Sequence, residues 1–135
     1  MNSAHPKLSA IIVGTSDLNR SKNFYTEVFG ITVNHQDPTY LSTHLKDGTH
    51  FEIKMINEHR FPNWKEHNIG TYKNSEFSVS DIFSFFENVV KNGGSILSKP
   101  TLRPWGSYAG EIKDPDDNIF LITQKANLKE KINVE

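Results

Sequence analysis

The chain has no cysteine. That excludes a disulfide framework, a thiolate nucleophile and every zinc centre built on sulfur. It also lacks an excess of charge: 15 Lys and Arg stand against 16 Asp and Glu, a formal net charge of -1. A protein that neutralises nucleic-acid phosphates needs surplus cations, so no nucleic-acid partner is expected. No run of about 18 apolar residues, the length that spans a bilayer, occurs, and the opening Met1-Asn2-Ser3-Ala4-His5-Pro6-Lys7 has no charged segment leading into an apolar stretch. A cytoplasmic protein without a membrane partner is the resulting expectation. What is present, 135 residues of which 36% are hydrophobic and 23% charged, suffices for one domain with its own core.

Compared with itself, the chain repeats. Ser16-Asp17-Leu18 closes the apolar run Ile11, Ile12, Val13, and Ser80-Asp81-Ile82 closes Phe77 and Val79 at an offset of 64 residues. Gly30 lies opposite Gly94, and Ile31-Thr32-Val33 opposite Ser95-Ile96-Leu97, at the same offset. Between these points Ile82, Phe85, Phe86, Val89 and Val90 fall at helical spacing and predict an apolar stripe that packs on a sheet. Leu18, Phe24, Tyr25, Val28 and Phe29 sketch the same face in the first half, with Ser16 or Asp17 to cap the start and Gly30 the end.

Strands follow each helix. Residues 40–46 and 49–55 flank Asp47-Gly48, which suits a two-residue hairpin turn; residues 107–113 and 118–124 flank Asp114-Pro115-Asp116-Asp117. Each half therefore reads βαβββ: a first module at about 8–56, a polar linker at about 57–73 holding Phe61, Pro62 and Trp64, a second module at about 74–124, and a polar tail at 125–135. One helix screens only one face of a sheet, so the other face must meet something else. The fold class expected is α+β, two tandem modules forming a curved, cup-like mixed sheet.

Three motifs now stand out. Val13-Gly14-Thr15-Ser16-Asp17-Leu18-Asn19-Arg20-Ser21 is followed by Phe24-Tyr25 and Phe29-Gly30; Phe77-Ser78-Val79-Ser80-Asp81-Ile82 is followed by Gly93-Gly94; Pro104-Trp105-Gly106 precedes Asp114-Pro115-Asp116-Asp117-Asn118. In order and spacing they resemble the vicinal-oxygen-chelate superfamily of glyoxalases, bleomycin-resistance proteins and extradiol dioxygenases, with Asp117 standing where that family usually has glycine. The resemblance implies a cup for a small-molecule ligand and a homodimer in which halves of two chains complete a cup.

Metal-bearing members of that family place four ligands on the first and last strands of the two halves. The matching positions here are Ala10, Glu52, Asn74 and Leu121. One carboxylate and one amide fall short of the three or more oxygen or nitrogen ligands a catalytic cation needs, so no metal and no other cofactor is expected. Among the six histidines, His5, His35, His59 and His67 read as surface residues. Across a two-residue hairpin Leu45 would pair with His50 and Thr43 with Glu52, so Thr43, Leu45, His50, Glu52 and Lys54 would share one face, opposite His44, Phe51, Ile53 and Met55. That alternation describes equally well a polar cup wall and an ordinary solvated sheet face.

The ligand-binding residues expected are His50, Glu52, Lys54, Asn74, Trp105 and Tyr108. Trp105 offers a large apolar surface with a polar edge, although a Trp that plugs the core reads the same way. Trp64 and Phe61 suit a lid or a dimer contact. The function expected is metal-independent binding of a drug-like or metabolite ligand, as the resemblance to the bleomycin-resistance branch implies. The alternative is a glyoxalase-like lyase or isomerase, or a dioxygenase, with a divalent metal or with Glu52 as general base.

Overall fold

The computed structural model describes residues 5–56 and 71–125. The elements run β1 (Ile11–Thr15), α1 (Leu18–Phe29), β2 (Thr32–Asp37), β3 (Tyr40–His44), β4 (His50–Met55), β5 (Thr71–Ser78), α2 (Ile82–Lys91), β6 (Ser95–Leu102), β7 (Tyr108–Lys113) and β8 (Ile119–Gln124). The duplication is therefore real, element for element. Expectations about Phe61, Trp64, His59, His67 and residues 126–135 fall outside the described residues; β5 opens at Thr71, three residues before the expected start of the second module. Among the described residues no helix is long and apolar enough to cross a membrane.

Each half starts its helix by the same device. Asp17 accepts the Arg20 backbone N–H at 3.1 Å and Asp81 accepts that of Ser84 at 3.1 Å, each satisfying a donor that the first helical turn leaves open. Gly30 ends α1 with φ 66. The strands form two four-stranded mixed sheets, ordered β1-β4-β3-β2 and β5-β8-β7-β6, in which β4 and β8 are paired in parallel with β1 and β5.

The helices lie on the inner sides of the sheets and share one core. The Tyr25 ring is 5.0 Å from Phe51 in the first sheet and 6.2 Å from Phe120 in the second, and Phe29 is 6.0 Å from Phe51 and 5.1 Å from Phe120. Each such ring, taken from water, contributes on the order of 2–3 kcal/mol, so the modules stabilise one another through α1. In α2 the stripe is narrower than the periodicity suggested: Ile82, Phe86 and Val89 are buried, whereas Val90 is 51% exposed. Phe86 packs closely against the sheet because Gly110 has no side chain; a Cβ there would sit 2.8 Å from Phe86 Cζ and 2.9 Å from the Ser98 carbonyl oxygen.

The hairpins correct one expectation. Leu45 N–H donates to the Thr49 carbonyl, Gly48 N–H donates to that of Leu45, and Gly48 has φ 92, so the β3–β4 loop has three residues, Lys46-Asp47-Gly48, and not two. One extra loop residue slides the register by one and reverses the faces of β3. Ser42 opposes Glu52, Thr43 opposes Phe51, and His44 opposes His50. Thr43 is buried on the helix side with its hydroxyl donating to the Phe51 carbonyl, and His44 joins His50 on the outer face. The same three-residue loop recurs at Pro104-Trp105-Gly106, where Gly106 has φ 94, and at Pro115-Asp116-Asp117. In the last of these Asp117 takes the left-handed position itself, at φ 68.

Candidate functional site

A buried polar seam joins the modules. The Tyr25 hydroxyl donates to Asp114 Oδ2 at 2.5 Å, and Asn118 Nδ2 donates to the Gly14 carbonyl at 2.9 Å and to Asp114 Oδ2 at 2.7 Å. Beside it Asp116 accepts from the Thr15 hydroxyl at 2.6 Å, the Ser16 N–H at 3.0 Å and the Arg20 guanidinium at 2.7 Å. Burial pushes the Asp114 carboxyl above the usual carboxylate range, although its hydrogen bonds pull the other way. Burial also raises Tyr25, with the neighbouring Asp114 charge adding to it, and lifts Tyr72 to about 12. Every one of these groups but Tyr72 is committed to a partner across or within the turn, so the seam holds the site's scaffold and presents no free chemistry.

The faces turned away from the helices are where a ligand can reach. Because Phe120 and Ile122 of β8 face the core, Leu121 and Thr123 face outward, with Ala109 beside Thr123 on β7. On this face lies a cleft of about 570 Å³, lined by Glu76, Arg103, Trp105, Ser107, Ala109, Leu121, Thr123 and Lys125. The Thr123 hydroxyl donates to Glu76 Oε2 at 2.8 Å. Trp105, at the tip of its closed hairpin loop, is 67% exposed, and so is not a core plug.

The strand register orders the cleft from end to end. Leu121 opposes Glu111, Thr123 opposes Ala109, and Gln124 opposes Tyr108, so Lys125, Ser107 and Arg103 gather at the hairpin end while Leu121 and its β5 neighbour Glu76 lie toward the other. Among the described residues neither Arg103 nor Lys125 has an acidic partner.

Of the ligand-binding residues expected from the sequence, the structure brings only Trp105 to this cleft, beside Leu121, one of the four family-matched positions. Tyr108 alternates with Ala109 and so turns to the helix side, its ring 5.3 Å from Phe83. Asn74 is exposed within a β5 bulge between Tyr72 and Glu76, and that bulge gives the position facing Leu121 to Glu76. His50, Glu52 and Lys54 share the outer face of the first sheet, where Lys54 Nζ lies 3.3 Å from Glu52 Oε1. A second, larger hollow of about 1430 Å³ lies along the β1 and β5 edges, lined by Ala10, Ile12, Phe29, Phe77 and Phe85 among others. His50, Glu52 and Lys54 line neither hollow.

Glu76, Arg103 and Lys125 escaped the sequence reading. Glu76 had a signal, since it stands 64 residues from Ile12, whose partner is Glu52. Arg103 and Lys125 had none, because they flank strand ends whose faces depend on the loop length.

The model of the glyoxalase/bleomycin resistance protein/dioxygenase superfamily matches residues 7–122. The chain belongs to that superfamily. A lactoylglutathione lyase of Arabidopsis thaliana is 27% identical over 124 residues, 85% of this chain and 43% of that protein. The uncharacterized protein YetH of Bacillus subtilis is 35% identical over 48 residues, 36% of this chain and 39% of that protein. The chain thus spans less than half the length of the lactoylglutathione lyase, and the match to YetH covers less than half of that protein. A glyoxalase-related enzyme from Fulvimarina pelagi superposes with a TM-score of 0.67 at 21% identity, covering 88% of each chain.

Metal-bearing members of the superfamily raise the question whether these residues suit a divalent ion. They do not. Ala10 and Leu121 offer no donor, Asn74 is in the bulge, and Glu52 is engaged by Lys54. Among the described residues no three His, Asp or Glu side chains group so as to hold an ion.

Proposed function

We propose that this superfamily member binds a small organic molecule on the outer face of its second module and needs no metal to do so. The observation that carries the reading is the 570 Å³ cleft, with exposed Trp105 at its mouth, Ala109 and Leu121 on its floor and charged groups at its ends. Its volume lies within the roughly 300–1,000 Å³ typical of small-ligand sites, and an apolar floor with a few placed polar groups is what such sites use. The lyase or isomerase reading with Glu52 as base has less support, because Glu52 lines neither hollow and is tied to Lys54.

Among the described residues, those that line the cleft all come from β5 to β8 and the residues flanking them. A homodimer in which the first-module face of one chain, with His50, Glu52 and Lys54, covers the cleft of its partner is part of the same proposal. It gives the polar row on the first sheet a role as the opposite wall.

The experiment is a thermal-shift screen of metabolites and antibiotics in the presence of EDTA, repeated with Trp105→Ala. A hit is expected to raise the melting temperature equally with and without chelator and to lose its effect in the variant. A hit abolished by EDTA, or untouched by Trp105→Ala, contradicts the proposal. Sedimentation equilibrium checks the dimer.

A further inference from the structure

We infer that the second-module cleft selects a planar aromatic anion, and this rests on the cleft being the binding site. The charge on its walls is sorted by position. Arg103 and Lys125 stand at the hairpin end without an acidic partner among the described residues, whereas the Glu76 carboxylate lies on the floor, where it already accepts from Thr123. Two cations at one end of an apolar floor, on either side of Ser107, favour an anionic group there, since hydrogen bonds from Arg or Lys to a carboxylate, sulfonate or phosphate are the strong kind. A cationic group at the same end meets two like charges with no compensation.

The floor sets the rest of the ligand. Leu121, Thr123 and Ala109 line the floor, and the five residues from Leu121 to Lys125 span roughly 13 Å at strand rise. That length takes a two- or three-ring system with its anion at one end. Trp105 supplies the stacking surface: its backbone is fixed by the Arg103 N–H to Ser107 carbonyl bond at 2.7 Å and the Gly106 N–H to Arg103 carbonyl bond at 2.9 Å, while its indole stands 67% exposed. A planar π face laid on that indole buries area on both partners at little cost in side-chain freedom. Glu76, its carboxylate beside Thr123 on the floor, accepts from a hydroxyl or amine if the ligand carries one, and repels a second anion.

The test uses three probes of one shape and three charges: 2-naphthoate, 2-naphthamide and 2-naphthylmethylammonium. Their dissociation constants are measured by calorimetry at low ionic strength on the full-length chain, on Trp105→Ala and on the double variant Arg103→Gln/Lys125→Gln, each verified as folded by circular dichroism. The chain is expected to bind 2-naphthoate at least tenfold more tightly than the amide, and the ammonium most weakly. The double variant is expected to lose the preference for naphthoate while keeping its affinity for the amide; Trp105→Ala is expected to weaken both. A preference for naphthoate that survives the double substitution, or equal affinity for all three probes in the unmodified chain, overturns the anion selectivity and leaves the cleft reading standing if Trp105→Ala still weakens them. Binding unaffected by Trp105→Ala, or no binding of any probe at millimolar concentration, overturns both.

Discussion

Replacing Tyr25 by Phe isolates the seam between the modules. The ring stays, and with it the contacts at 5.0 Å to Phe24, 5.1 Å to Phe29 and 5.0 Å to Phe51. What goes is the hydroxyl that donates to Asp114 Oδ2 at 2.5 Å. Asp114 retains Asn118 Nδ2 at 2.7 Å and the backbone N–H groups of Asp116 at 2.9 Å and Asn118 at 2.8 Å, so its carboxylate falls from four donors to three while staying buried. Losing a hydrogen bond to a charged group costs about 1.5–3 kcal/mol, a sizeable part of the 5–15 kcal/mol that holds an ordinary domain together. For a chain of this length that amounts to a fall in melting temperature of roughly 6–10 °C. Urea denaturation at pH 7 followed by circular dichroism reads the loss as a lower midpoint at unchanged slope. A change below about 0.5 kcal/mol would refute the reasoning, because it would mean that the buried carboxylate does not depend on the Tyr25 hydroxyl.

Other perturbations follow from the same geometry. Gly110→Ala places a Cβ 2.8 Å from Phe86 and 2.9 Å from the Ser98 carbonyl oxygen, so a loss of about 1–3 kcal/mol is expected from overpacking, read by the same denaturation. Asp117 holds φ 68 in a loop position that its two sister hairpins give to glycine; Asp117→Gly is expected to exceed Asp117→Val in stability by about 1–2 kcal/mol, and equal stabilities would show that the turn relaxes. Asp114 is held above the usual carboxylate range chiefly by burial, so the folded state keeps its proton more tightly than the unfolded chain. Its contribution is then fully present below the ordinary value of 3.8 and is lost as pH rises through the raised one. The stability of the natural chain relative to Asp114→Asn is therefore expected to fall as pH rises above 3.8, and urea midpoints measured from below that value upward check the sign.

The duplication was legible because its carriers are residues whose chemistry is local. Asp17 and Asp81 cap helices through their own side chains, and Gly30 supplies a left-handed turn. The helical stripe of α2 was legible too, except that Val90 is 51% exposed. Strand faces were less legible, since they hinge on single residues. Asp47-Gly48 suits a two-residue loop and a three-residue loop alike, and choosing the shorter placed Thr43 outside and His44 inside, the reverse of what forms. In β5 the bulge between Tyr72 and Glu76 lets both Tyr72 and Phe77 reach Phe120, at 5.1 and 5.4 Å, which a regular alternation forbids. Aromatic burial thus overrode the strand period there, and the cleft received Glu76 in place of Asn74. Trp105 was legible only as a match to the family's Trp-Gly motif; the choice between cleft and core waited for the hairpin tip, where it stands 67% exposed.

The most direct test of the account is to titrate the ¹⁵N-labelled chain with 2-naphthoate in the presence of EDTA and to follow the backbone amide resonances. Shifts centred on Arg103 to Ala109 and Leu121 to Lys125, with Glu76, are predicted. Shifts centred on His50, Glu52 and Lys54 that leave Trp105 and Thr123 unmoved, or shifts that occur only when a divalent metal replaces the chelator, would contradict it.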